Sequence, residues 1–271
     1  MNGSCRSNDQ CSWINAKCPM HRIAEKDPRE GGETMEVKVN ERIFQEFPLF
    51  RRGVVVASGI ENQGVSEELE TLLNEAVESA GRQAIDVKSD SRIVVWSEAH
   101  RRFGSNPNKF PPAHFSLMKR VQKPGTRLPF INKVVTIMNY NSIVDVIPVG
   151  GDDLDHAGPC LELRHASGQE TFVPLDAPQT SEHPAPGEVV YVVADSGRVM
   201  CRRWNWRNGY ETRITEETRA MVMNIDGLGE ESESRAAKTR DRVAAMLEKY
   251  CGARTLTSML SPAQPAFHFE V

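Results

Sequence analysis

No apolar run in this sequence approaches the roughly eighteen residues that a bilayer-spanning helix needs, which excludes a helical membrane protein. The first thirteen residues, MNGSCRSNDQCSW, lack the apolar stretch of an export signal, so secretion is not expected. Cysteine is sparse, with six in 271 residues at positions 5, 11, 18, 160, 201 and 251. Half of them crowd the N-terminus and the others stand far apart, which is no disulfide framework for a chain of this size and points to a reducing cytoplasm. Positive charge is not in excess either: 33 Lys and Arg against 37 Asp and Glu leave a net charge of -4. Bulk electrostatics therefore cannot coat this protein with nucleic acid, and any RNA contact has to be local. No internal repeat is present. What remains is a chain with 39% hydrophobic and 26% charged residues, enough for a sizeable core in one large or two small domains.

Residues 1–34 stand apart. Cys5, Cys11, Cys18 and His21 are a ligand set that zinc accepts, but their spacing lacks the paired C-x2-C of a strong zinc site. The segment reads equally as a disordered tail with little to bury. A further reading comes from EGGETM at 30–35, where Glu-Gly-Gly is compatible with a purine-rich ribosome-binding core ahead of Met35. Residues 1–34 are then translated from a start placed upstream of the native one, and the segment is set aside from the fold under either reading.

From Met35 the alternation in MEVKVNERIF predicts a strand, and Val54, Val55 and Val56 mark a second, buried one. Leu69, Leu72, Leu73, Ala76 and Val77 recur at helical spacing after Ser66 and stop at Gly81. Further helices are predicted over 91–103, 113–123, 131–144 and 234–252. Between the last two the texture changes to short β-type runs, CLELRHA, ETFVPL, EVVYVVAD and GRVMCRRWNW, with a Pro-rich surface loop at 177–187. A capping-box-like stretch at Thr215–Thr218 follows. Residues 253–271 show no periodicity and read as a tail. The whole is α+β, with the domain proper at 35–252.

The stretch CRRWNWRNGYETR at 201–213 places two of the four Trp among four Arg. As a strand it would send Arg203, Asn205 and Arg207 to one face and Arg202, Trp204 and Trp206 to the other. One reading is a strand end with the indoles inward and the Arg stems laid over them. Another is a binding surface, since guanidinium and indole faces suit carboxylate, phosphate and aromatic ligands. Cys201 beside Arg202 is read as a buried thiol with no His fixed near it, not as a nucleophile. Asp152, Asp153 and Asp155 in GGDDLD offer oxygens for a cation or an ammonium group, though acidic turns are usually just turns. No metal site and no cofactor is predicted.

The run INKVVTIMNYNSIVDVIPVGGDDLDHAGPCLELRHASGQETFVPLDA, continued by PGEVVYVVADSGRVM and TRITEETRAMVMNIDGL, resembles the B3/B4 domain of the bacterial phenylalanyl-tRNA synthetase β subunit. FPLFRRGVVVASG and WSEAHRRFGSNPNKFPP are similar to free-standing proteins of that kind, and the resemblance spans about 45–250. It implies a B3/B4-like fold, a mixed or antiparallel β-sheet core with helices packed on it. It also implies an editing pocket that hydrolyses the ester of a wrongly charged tRNA by positioning water, with no Ser or Cys nucleophile. Against the family pattern, Gly150 replaces a pocket His, Asn224 replaces a Glu, and Trp204–Gly209 falls where the relatives have a loop of small residues. Asn132 and Asn139 are expected to cap or cross-link backbone near the pocket. The resemblance thus gives Asn132, Asn139, Gly150, Asp152, Asp153, Arg202, Arg203, Trp204, Asn205, Trp206, Arg207 and Asn224 as candidate binding residues. Three functions are compatible with it: a trans-acting hydrolase of mischarged aminoacyl-tRNA, a non-catalytic module for the tRNA 3′ end or an aminoacyl ligand, and a sensor of a free aromatic amino acid. The expected partners are tRNA and an amino-acid ligand, in the cytoplasm, and nothing resembles a complete tRNA ligase.

Overall fold

The computed structural model describes residues 34–83 and 85–270, so the candidate zinc ligands and, except for Thr34, the leader lie outside the described residues. Strand β1 (Thr34–Val39) opens the fold, and Asn40 then turns the chain into helix α1 (Glu41–Glu46) by accepting from the Arg42 backbone N–H at 3.2 Å. The predicted strand through Phe44 is therefore cut in two, because a capping Asn stops the ladder where Ile43 and Phe44 can bury together. Strand β2 (Arg51–Ser58) leads to helices α2 (Glu67–Gln83), α3 (Ser91–Arg102), α4 (Ala113–Val121) and α5 (Lys133–Asp145). The second half supplies β3 (Val149–Asp153), β4 (Cys160–His165), β5 (Val189–Val193), β6 (Arg198–Arg202), the two-residue β7 (Arg207–Asn208) and β8 (Ala220–Gly227). Helix α6 (Ser232–Cys251) ends at Gly252 in the left-handed conformation (φ 62°). No helix among the described residues is long and apolar enough to cross a membrane.

Residues 253–271, read as an aperiodic tail, instead carry β9 (Arg254–Leu260) and β10 (Ala266–Glu270). Strand β9 is an edge strand with only Ser258 and Leu260 buried, so its sequence has little apolar alternation to show. The strands form two sheets. One is six-stranded in the order β10-β1-β4-β5-β6-β7, antiparallel except for the parallel β1–β4 pair; the other is β3-β8-β2-β9, antiparallel throughout. This is the α+β architecture that the sequence predicts, with the mixed and antiparallel sheets that the resemblance implies.

Period-two alternation decides what lies between the sheets. Val54 and Val56 of β2 and Ala220 and Val222 of β8 meet Val37, Leu161, Leu163 and Tyr191 of the larger sheet in one core. Their neighbours Val55, Ala57, Met221, Met223 and Ile225 face the other way, onto Val134 and Ile137 of α5 and Val243 and Leu247 of α6. Helices thus cover one face of the small sheet and the large sheet covers the other. The ETFVPL segment, predicted as a strand, makes only single bridges; Phe172 plugs the outer face of the large sheet against Val190, Val192 and Val199. The Thr215–Thr218 region does hold a capping contact, with the Thr215 N–H donating to Thr218 Oγ1 at 3.0 Å, but a strand follows it.

Candidate functional site

The same alternation that builds the inter-sheet core ends in polar residues. Arg52 is in phase with Val54 and Val56, and Asn224 and Asp226 are in phase with Ala220 and Val222. Register puts Arg52 opposite Asp226 and Gly150 opposite Asn224. Four polar or small positions therefore point between the sheets at one end of the core. Tyr191 and Cys201 close them from the larger sheet, and Trp204, Asn205, Asn208 and Ala113 complete the wall of a cavity of about 70 Å3.

Arg52 is fully buried and held by Asp226 in a bidentate pair, Nε to Oδ1 at 2.7 Å and Nη2 to Oδ2 at 2.9 Å. Its guanidinium lies 4.9 Å from the Tyr191 ring centroid, and its Nη1 has no hydrogen-bond partner. The buried Tyr191 hydroxyl has the Asn224 side chain as its polar neighbour, and Asn224 Oδ1 is left without a partner. Burial holds His100 down to about 4, so its ring is neutral; with Nε2–H donating to Asn205 Oδ1 at 3.1 Å, the Asn205 Nδ2 is left without a partner. Burial also pushes the Asp152 carboxyl up to about 7, opposed by the Thr212 hydroxyl, which donates to it at 2.7 Å, and by Arg52. Native interiors pair almost all such groups, so three orphaned polar atoms around one small cavity, Arg52 Nη1, Asn205 Nδ2 and Asn224 Oδ1, are a sign of a ligand site. Cys201 is no nucleophile: burial drives its thiol far above the ordinary value.

The predicted face alternation through 201–213 does not occur. Strand β6 ends at Arg202, and Arg203 (φ 48°) and Trp204 (φ 66°) adopt the left-handed conformation in the turn to β7. That turn drives Trp204 inward, where it is 2% exposed and packed edge-on against Phe47, Phe50 and Trp96 at 4.9 to 5.1 Å between centroids. Its Nε1 donates to Asp226 Oδ2 at 3.1 Å, so the indole is pinned at the cavity wall. Trp206 goes outward, against Phe110.

The arginines do not line the cavity. Arg202 is bidentate to the buried Glu188 (2.9 and 2.8 Å) and also bonds Glu182; Arg207 bonds Asp176 and Glu182; Arg203 lies over the Phe110 ring at 3.9 Å and 3.6 Å from Glu188. Asn132 caps α5 by accepting from the Val135 N–H, and Asn139 lies half-buried on the same helix; neither reaches the cavity. Asp152, Asp153 and Asp155 do not converge: Asp152 faces the cavity, Asp153 accepts from the Thr218 hydroxyl at 2.6 Å, and Asp155 is exposed. Among the described residues no cluster of three His, Cys, Asp or Glu could hold a metal ion. Of the candidates, then, Gly150, Asp152, Trp204, Asn205 and Asn224 come together, while Arg202, Arg203, Trp206, Arg207, Asn132, Asn139 and Asp153 stand elsewhere. Arg52, Asp226 and Tyr191 were missed, although a charge inside an apolar strand, as in FRRGVVV and MVMNIDG, is the signal that could have found the first two.

A second concavity of about 480 Å3 adjoins α3 and α4, lined by Lys88, Arg101 and Lys119 with no acidic residue in its wall. None of the three cations is ion-paired among the described residues. The two sites share one segment, since Ala113 borders the cavity while Pro111, Phe115 and Ser116 border this groove.

A profile of the family described as the B3/4 domain matches residues 95–260. Curated proteins give no match. Among solved structures, an N-terminal fragment of the phenylalanyl-tRNA synthetase beta-subunit from Pyrococcus horikoshii is similar at 12% identity and a TM-score of 0.41, over 82% of this chain and 53% of that one. The chain thus spans about half the length of that fragment.

Proposed function

Because this chain belongs to the B3/4 domain family, matched over more than half its length, we propose that its inter-sheet cavity receives the aminoacyl group of a charged tRNA and hydrolyses the ester. The observation that carries this reading is the set of orphaned buried atoms. Arg52 Nη1 and Asn205 Nδ2 are donors without acceptors, and Asn224 Oδ1 is an acceptor without a donor. An aminoacyl ester presents the complement: a carbonyl oxygen that accepts, and an α-ammonium that donates. Asp152 adds a carboxyl that titrates near neutrality. In this reading water attacks the ester carbon, Asp152 takes its proton, the donors hold the developing oxyanion, and the acyl C–O bond breaks. The proton then passes to the departing ribose hydroxyl. The groove with Lys88, Arg101 and Lys119 supplies a place for backbone phosphates next to the cavity.

The test is deacylation of a panel of correctly and wrongly charged tRNAs by the purified protein. Turnover of some members, lowered at least about 100-fold by Asp152→Asn with the fold intact, is the expected result. Saturable binding with no turnover would leave a binding module, and neither binding nor turnover would remove the reading.

A further inference from the structure

We infer that the cavity selects aminoacyl groups with the smallest side chains, glycyl, alanyl and seryl, and that Gly150 sets the upper limit. This rests on the aminoacyl reading of the cavity, though not on turnover. The size argument is direct. A water needs roughly 10–15 Å3 of cavity, so a volume of about 70 Å3 admits about five to seven non-hydrogen atoms, as in an alanyl or seryl group, against about twelve in a tyrosyl group.

The wall is not built to yield. Trp204 sits among Phe47, Phe50, Trp96 and Phe103, and its indole N–H is fixed on Asp226, which Arg52 holds in turn. Swinging it out would break an apolar cluster and expose a buried ion pair together. At Gly150 the wall is open at the level of a side chain. A Cβ built on Gly150 meets nothing within 4 Å, although its backbone is ordinary strand and not left-handed. A methyl there would occupy ligand space without disturbing the packing.

The experiment charges one tRNA body with glycine, alanine, serine, phenylalanine or tyrosine, through the natural ester for turnover and through a non-hydrolysable 3′-amide for binding. The wild-type protein is expected to bind and deacylate the three small groups at least about 100-fold better than the two aromatic ones. Gly150→Ala is expected to lower alanyl and seryl recognition about tenfold or more while sparing glycyl, with an unchanged melting temperature. Comparable handling of tyrosyl and alanyl groups overturns the size inference and leaves the aminoacyl reading standing. Binding of small amides without ester turnover supports the inference and removes only the hydrolytic step. Failure to bind any of the five overturns both. A Gly150→Ala variant that keeps its fold and its full alanyl affinity overturns the role given to Gly150.

Discussion

Asp152 carries the sharpest consequence at the scale of single residues. Its carboxyl ordinarily titrates near 3.8 and is raised to about 7 by burial, with Asp153 adding like charge and Arg52 and Thr212 pulling the other way. A folded-state value above the unfolded one means that the protonated form is favoured by folding. That contribution is complete below the unfolded value, declines as pH rises, and is gone above about 7. Asp152→Asn keeps the bond to Thr212 but removes the titration. Urea unfolding at pH 4, 6 and 8 should show wild-type stability falling relative to the variant by up to about 4 kcal/mol, with no further loss above pH 7. Parallel curves for the two proteins would contradict the burial of an ionisable group there. The residues around Asp152 were only partly legible in the sequence. Asn224 and Gly150 could be found by their place in a motif, whereas the outward turn of Arg203 and the inward turn of Trp204 depend on two left-handed residues that neither Arg nor Trp announces. The guanidinium and indole cluster read as a site is mostly a set of paired charges laid on the surface of the large sheet, and the arginine that matters, Arg52, lies 150 positions earlier in a valine-rich strand.

At the scale of elements the helices from α2 onward were the easiest to read, because an apolar stripe at helical spacing or a polar N-terminal cap needs no tertiary information. Helix α3, for instance, starts one residue after its capping Asp90 and buries Ile93, Trp96 and Ala99. Strands β9 and β10 were lost for the opposite reason: half-exposed edge strands acquire their identity from their partners. Those partners are central. Strand β9 covers seven residues of β2, and β10 covers five of β1, so two consecutive strands finish one edge of each sheet. Truncation after Gly252 should therefore abolish cooperative unfolding, not merely trim a tail, because β2 is buried along almost its whole length and would become an unprotected edge. Circular dichroism through a denaturant titration checks this; a truncated protein that still melts in one sharp transition would refute it.

At the scale of the molecule a net charge of -4 leaves no general attraction for RNA, which makes the groove at Lys88, Arg101 and Lys119 decisive for a polyanionic partner. If tRNA binds there, replacing all three by Gln should lower the slope of log affinity against log salt by about 2–3, while the same charges removed at Arg202 and Arg207, already paired internally, should not. Filter binding between low and physiological salt measures both. The sheet order has one more implication. Thr34 and Glu270 are direct neighbours in the β1–β10 ladder, so the described fold is entered and left at a single corner. A unit with that layout can be spliced into a surface bend of a larger polypeptide, or cut open elsewhere and rejoined by a short bridge across positions 34 and 270, without rearranging its interior.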